Sequence, residues 1–264
     1  MRKLTTLFLI LYCTSAFGQY FAPNQKPPLG FQVNGGHPLS KGLVGLWLFN
    51  EGSGSQVFDL SGYGNNGTFD ATNPPAWKAG KFGSCVDINT SATQPISLPS
   101  SIVLTQGTIA GRIYWSGNAE KMWIGDDTTS NYFFYVGHWR VKGATTKIDF
   151  SDSLPAAGWY YVVLVMDGTN WNLYVDDVPD SGNPIASSQT YTINTIGHSY
   201  SSSTYCWDGD IDNAMIWNRA LSASEIAQLY SNSFCFMEPN WNWNFYIPFL
   251  AAPTVGAPQV IIVN

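Results

Sequence analysis

The stretch that decides the fold reads Trp207-Asp208-Gly209-Asp210-Ile211-Asp212-Asn213-Ala214-Met215-Ile216-Trp217-Asn218-Arg219-Ala220-Leu221-Ser222-Ala223-Ser224-Glu225-Ile226. It starts as a strand, turns at Asn218 and becomes a short helix. Asp208, Asp210 and Asp212 are spaced by two, so they fall on one face of the strand. Three carboxylates on one face repel unless a cation sits among them or water solvates them. After the turn, Ser222 is a favoured N-cap and Glu225 completes a capping box, while Leu221 and Ile226 stand where a hydrophobic staple closes. Ala227, Leu229 and Tyr230 carry the helix on for two or three turns.

Upstream, short β-like runs are separated by turn residues: Phe82–Ile88, Ile96–Leu98, Gly107–Trp115, Lys121–Gly125, Tyr132–Trp139, Lys147–Phe150, Trp159–Met166, Trp171–Val175 and Tyr191–Ile196. Asp167-Gly168-Thr169-Asn170 is a hairpin signal between two of them. Many short strands at close spacing predict an all-β, two-sheet antiparallel sandwich or jelly roll, with one short helix near the C-terminal end. Residues 50–80 form a loop-rich region between the opening run, Leu43–Phe49, and these strands.

Of 264 residues, 11% are charged and 15% aromatic, the profile of a rigid extracellular β protein rather than a helical enzyme. The formal net charge is −6. An acidic chain with scattered lysines makes a poor partner for nucleic acid or anionic membrane. Arg2 and Lys3, the apolar run Leu4–Tyr12 and the small residues Ala16-Phe17-Gly18 read as a signal peptide over residues 1–18, hence a secreted protein. The apolar run is short for a membrane span, an N-terminal anchor being the alternative, and the prolines and length of the C-terminal apolar stretch argue against a span there, so none is expected in the mature chain. Residues 19–41, rich in Pro and Gly, read as a linker or arm. The domain is expected over 42–232. Residues 233–264 form an apolar, Pro-containing tail, expected to lie on the domain, to make subunit contacts in a homo-oligomer, or to be poorly ordered. Cys85, Cys206 and Cys235 remain after export, which allows one disulfide, such as Cys85–Cys206 if their strands are neighbours, or three free thiols.

Four segments together resemble the laminin-G-like, concanavalin A-like (LamG-like) jelly roll family. They are Gly42–Gly54, opening with Leu-Val-Gly-Leu-Trp-Leu-Phe and closing on Glu-Gly-Ser-Gly; Asp59-Leu60-Ser61-Gly62-Tyr63-Gly64-Asn65-Asn66-Gly67-Thr68; Trp159–Val165 followed by Leu173-Tyr174-Val175-Asp176; and the opening stretch above. Their order fits from residue 42 to about 231. Two departures stand out. Asp177 occupies a hairpin position where Gly is usual, and Arg112 and Tyr114 interrupt the apolar pattern of Gly107–Trp115, which touches local packing or ligand choice.

The resemblance implies that the loop at Asp59 and the last strand meet at one edge of the sandwich and hold a structural calcium ion. Asp59 would anchor it, Asn65 or Asn66 would stand beside it, Asp210 and Asp212 would close it, and Glu51 is a more distant candidate. Calcium takes several hard oxygen ligands, which this set offers. The residues also allow Asp59 to cap its own turn and the other aspartates to be solvated.

Catalysis is not expected. The glucanase branch of this superfamily uses Glu-x-Asp-x-x-Glu on one strand, and Glu51, Glu120, Glu225 and Glu238 are not so arranged. His37, His138 and His198 lack metal spacing. A glycoside hydrolase with an atypical site is the remaining enzymatic reading. Non-catalytic relatives bind sugars or proteins, stacking sugar rings on Trp and Tyr while amides and carboxylates take the hydroxyls. The candidates are Trp123, Asp126, Asp127, Asn131, Tyr132, Trp139 and Trp77, with Tyr200, Tyr205 and Trp207 as a second group. The expected function is an exported, non-catalytic recognition module for glycans or a surface protein. The alternative is a structural or adhesive component of a virion or cell-surface assembly.

Overall fold

The computed structural model describes residues 25–89, 94–118, 121–127, 131–135, 137–198 and 206–239. In chain order the strands are β1 (Phe31–Val33), β2 (Leu43–Trp47), β3 (Gln56–Val57), β4 (Gly67–Phe69), β5 (Ala76–Gly80), β6 (Gly83–Ile88), β7 (Ile96–Leu104), β8 (Gly107–Trp115), β9 (Lys121–Gly125), β10 (Tyr132–Tyr135), β11 (Trp139–Lys142), β12 (Lys147–Asp149), β13 (Gly158–Met166), β14 (Asn170–Val175), β15 (Val178–Pro179), β16 (Ile185–Ala186), β17 (Tyr191–Ile196), β18 (Gly209–Trp217) and β19 (Met237–Pro239). The single α-helix among the described residues, α1, spans Ala223–Ser231.

Two antiparallel sheets face each other, as a concanavalin A-like jelly roll requires. The helix-side sheet runs β15-β14-β13-β8-β18-β6-β5, with β2 on the second half of β18 and β16 on β14. The open sheet runs β12-β11-β10-β9-β17-β7-β4-β3. Between them lies a core that takes Ile109 and Ile113 from β8, Val162 and Leu164 from β13, and Ile124, Phe133, Trp139 and Ile193 from the open sheet. A second core covers the other face of the helix-side sheet. There Ala110, Tyr161, Val163, Val165, Met215 and Trp217 pack under Ile226 and Leu229 of α1. Burial on both faces explains why β13 reads as a near-continuous apolar run rather than an alternating one.

The helix starts as its sequence dictates. The Ser222 hydroxyl accepts the Glu225 amide, and the Glu225 carboxylate accepts the Ser222 amide at 2.9 Å. The Arg219 guanidinium then donates to both Glu225 oxygens, at 3.0 and 2.7 Å.

Packing onto the sandwich continues on both sides of the 42–232 stretch. From residue 25 the arm lies on the domain, and β1 pairs antiparallel with β19. Leu39, Phe234 and Phe236 are fully buried in the second core, and the Trp217 indole N–H donates to the Leu39 carbonyl at 2.7 Å. Each such apolar side chain gains roughly 1.5–3 kcal/mol on leaving water, enough to hold down a segment whose prolines and glycines favour an arm. The run Tyr132–Trp139 is two strands instead of one, because Gly137 takes a left-handed turn (φ 96°) and Tyr135 pairs with Trp139 across the hairpin. All three described cysteines are free. Cys85 lies in β6 of the helix-side sheet, whereas Cys206 bridges Met122 of the open sheet, so the suggested pair is not made from neighbours. Burial pushes the Cys85 thiol up to about 12 and the Cys235 thiol up to about 11, which leaves both poor nucleophiles at neutral pH.

Candidate ligand-binding site

The residues expected to hold calcium share a neighbourhood but do not converge. Trp47 of β2 forms a bridge with Asp59 on one side and pairs with Ala214 of β18 on the other, so a strand separates the loop from the final strand. Asp59 caps its own turn: one carboxylate oxygen accepts the amides of Leu46 and Ser61 (3.0 and 2.9 Å), the other that of Asn65 (2.9 Å). Asn65 donates its side-chain amide to the Val44 carbonyl, and the Asn66 amide oxygen accepts the Asp59 N–H. Glu51 accepts the Phe58 amide at 2.8 Å.

The three aspartates do alternate with core residues, since Trp207 and Ile211 enter the inter-sheet core. Each, however, has its own partner. Asp208 accepts from Ser116 and Asn118. Asp210 meets Lys78 at 3.1 Å and Asp212 meets Lys26 at 3.3 Å. Lys26 comes from the arm, is itself buried, and also donates to the Ser84 carbonyl. An ammonium group thus fills the need for positive charge. A donor set already committed to amides and lysines does not fit a calcium ion. Burial raises Asp210, and the neighbouring Asp87 raises it further against the lowering influence of Lys78.

The expected sugar-binding residues are mostly core. Trp123, Trp139 and Trp207 are fully buried or nearly so, and Asp126 and Asn131 are buried as well. Trp139 packs against Phe133 and Tyr135 with ring centroids 5.1 and 5.2 Å away, and the Trp207 indole N–H donates to the Tyr114 carbonyl at 3.1 Å. Removing such a side chain costs roughly 3–5 kcal/mol, so substitution there probes folding rather than binding. Asp127 is exposed, but the Asn194 side chain holds it at 2.6 Å. Tyr132 is half-buried at the start of β10. Trp77 donates its indole N–H to the Gly54 carbonyl and leans on Phe69. Tyr200 and Tyr205 lie outside the described residues.

A ligand-sized pocket lies on the helix side. A pocket of about 350 Å³ opens between the end of α1, the β5–β6 turn and the β14–β15 hairpin; Lys81, Phe82, Arg112, Trp159, Asp176 and Tyr230 line it. Arg112 is its floor. Alternation on β8 sends Ile109 and Ile113 to the inter-sheet core and Ala110 and Arg112 to the opposite face. Arg112 is 6% exposed. Its guanidinium stands over the rings of Phe82 and Tyr161 (5.0 Å each) and Tyr230 (5.7 Å). Its Nε finds no acceptor among the described residues. Burial lowers its pKa, against the raising influence of Tyr161 and Asp176, yet a guanidinium stays charged at any ordinary pH.

Arg112 pairs in register with Tyr161 on β13 and with Asn213 on β18. The Tyr161 hydroxyl and the Asn213 side-chain nitrogen are also buried without a partner among the described residues. One row across three strands therefore carries three unmatched polar groups, all able to donate. Leaving a buried donor unmatched costs about 1–3 kcal/mol, more for a charged group. The pocket wall is fixed by the hairpin. Asp176 and Asp177 both adopt left-handed backbone (φ 50° and 67°), which Asp tolerates better than most residues, and the Asp176 carboxylate accepts the Tyr161 amide at 2.8 Å. At the rim, Trp159 packs edge-on against Tyr114, with centroids 5.6 Å apart. The sequence signal for this site was the break that Arg112 makes in an otherwise apolar strand.

Residues 89–227 match the Laminin_G_3 family, described as the concanavalin A-like lectin/glucanases superfamily. No curated protein matches the chain. Among solved structures, domain 4 of AbnA, a GH43 extracellular arabinanase from Geobacillus stearothermophilus, in complex with arabinotriose, superposes with a TM-score of 0.55 at 16% identity, over 71% of this chain and 98% of that domain. The binding domain of Paraclostridial Mosquitocidal Protein 1 gives a TM-score of 0.55 at 14% identity, over 73% of this chain and 52% of that one. A Trypanosoma rangeli sialidase mutant displaying trans-sialidase activity gives 0.52 at 18% identity, over 74% of this chain and 33% of that one. At these identities the likeness is one of fold. With the family match covering more than half of its length, the chain belongs to the concanavalin A-like lectin/glucanases superfamily.

Proposed function

We propose that the chain is an exported, non-catalytic recognition module that binds glycans. The observation that carries this reading is the helix-side pocket. Trp159 and Tyr230 offer ring surface at its mouth, and Asp176, Lys81 and Ser231 offer hydrogen-bonding groups around them. Sugar recognition needs this combination, because a pyranose or furanose presents an apolar C–H face and a rim of hydroxyls. A domain of the same fold in complex with arabinotriose is consistent with it.

The carboxylates support a non-catalytic role. Glycoside hydrolysis needs two of them facing each other across a sugar-sized gap. Asp87 and Asp210 are directly paired across β6 and β18, with Lys78 bound to Asp210, which leaves no such gap. Asp149 is bound by Arg140, Asp212 by Lys26 and Glu225 by Arg219. Export rests on the charged and apolar pattern of residues 1–18. The test is a glycan array probed with the full chain, followed by Trp159→Ala. Binding that weakens at least several-fold in the variant, with an unchanged melting temperature, supports the reading. Failure to bind any glycan overturns it.

An adhesive or structural role in an assembly has one observation in its favour. The β1–β19 pairing anchors the start of the apolar tail on the domain. A concentration-dependent oligomer that becomes monomeric when residues 240–264 are deleted would support that reading.

A further inference from the structure

Arg112 is a buried cation that lines a pocket, stands over three rings, and has an Nε with no acceptor among the described residues. A planar guanidinium is shaped to take two oxygens of one carboxylate. Behind it in the same row, the Tyr161 hydroxyl and the Asn213 side-chain nitrogen find no partner among the described residues, while the Asn213 side-chain oxygen accepts the Arg112 amide at 3.3 Å. Lys81 adds a second cation at the rim. Resting on the glycan-binding reading above, we propose that this pocket takes the carboxylate of an acidic sugar, a hexuronic acid residue of a polysaccharide, with Arg112 as its cationic seat.

The other walls fit the rest of such a sugar. Trp159 and Tyr230 meet its C–H face, and the Asp176 carboxylate accepts from its hydroxyls. The volume, about 350 Å³, suits one ring and part of a second. Asp176 and Asp212 both act on Arg112 electrostatically. Their charges disfavour a dianionic phosphate or sulfate more than a singly charged carboxylate.

Calorimetric titration of the full chain tests this with a panel of oligouronates (glucuronate, galacturonate, mannuronate), their neutral counterparts, sodium acetate and inorganic phosphate. At least one oligouronate is expected to bind tenfold or more tighter than its neutral counterpart, with affinity falling as salt rises. Arg112→Lys keeps the charge but loses the planar fork, and is expected to weaken that binding about tenfold. Lys81→Gln, at an exposed position, is expected to weaken it several-fold, and keeps the test valid if the buried substitution fails to fold.

Equal affinity for acidic and neutral sugars, or acidic binding that neither variant changes, overturns the proposal while the glycan reading stands. Acetate or phosphate binding as tightly as the oligouronate overturns the sugar part. No binding by any member of the panel overturns the proposal, and the glycan array decides separately whether the broader reading falls with it.

Discussion

Two buried charges stand near each other on the helix-side sheet and have opposite fates. Asp212 on β18 is fully buried; Lys26 lies 3.3 Å from it and the Phe82 amide donates to it. Arg112 on β8, 6% exposed, meets the ring of the same Phe82 but no carboxylate oxygen. Desolvation opposes both charges. Asp212 has a direct ion-pair partner, brought by an arm that must be in place for the pair to form, whereas Asp176 and Asp212 act on Arg112 only through space. Arg112 is left to rings, and it opens on a pocket. Burial alone therefore does not separate a structural charge from a ligand-facing one; the presence of a partner does.

Breaking the paired side should have the largest effect. Lys26→Met leaves Asp212 buried and uncompensated, and is expected to cost about 3–5 kcal/mol in urea unfolding. A loss below about 1 kcal/mol would mean that the arm's lysine does not neutralise Asp212.

The half-exposed pair at the helix start gives an intermediate case. Glu225 is held down to about 2, chiefly by its hydrogen bond to Arg219, against 4.5 when unfolded. Its folded value is depressed, so its contribution is complete above about 4.5 and is lost as pH falls toward about 2. Allowing for partial exposure, Glu225→Gln should cost on the order of 1–2 kcal/mol at pH 7 and little at pH 2. Equal losses at both values would assign the effect to packing instead.

The unpaired side should behave in reverse. Arg112→Met removes a buried charge that has no partner to strand, so stability should change by about 1 kcal/mol or less, or rise, while any anionic ligand is lost. A loss of several kcal/mol would show that Arg112 is a structural element. The smallest expected effect is that of a chelator. With Asp59 capping its turn and lysines on Asp210 and Asp212, EDTA should leave the melting curve unchanged, and a clear drop would restore the calcium site.

The comparison also shows how far the chain could be read in advance. The β8, β9 and β17 limits, Gly107–Trp115, Lys121–Gly125 and Tyr191–Ile196, coincide with sequence runs because apolar alternation ends where turn residues begin. The Ser222–Glu225 capping box formed as its spacing requires. Trp123, Trp139 and Trp207, expected at a sugar face, went to the core instead, because a large ring in a strand gains most where both sheets cover it. The aspartates shared a face as their spacing of two demands, yet nothing local told that Lys26 and Lys78, more than 130 residues away, would claim two of them.

The sequence by itself determined the two-sheet β architecture, the single capped helix and the position of the odd arginine in β8, because periodicity, capping and turn chemistry act within a few residues of the chain. Tertiary structure alone decided which charges are satisfied. It brought the arm's lysine to Asp212, set a strand between Asp59 and the final strand, and closed three rings over Arg112 while leaving its Nε without an acceptor among the described residues. Such outcomes depend on contacts between segments far apart in the chain, and local pattern carries no record of which distant partner will arrive.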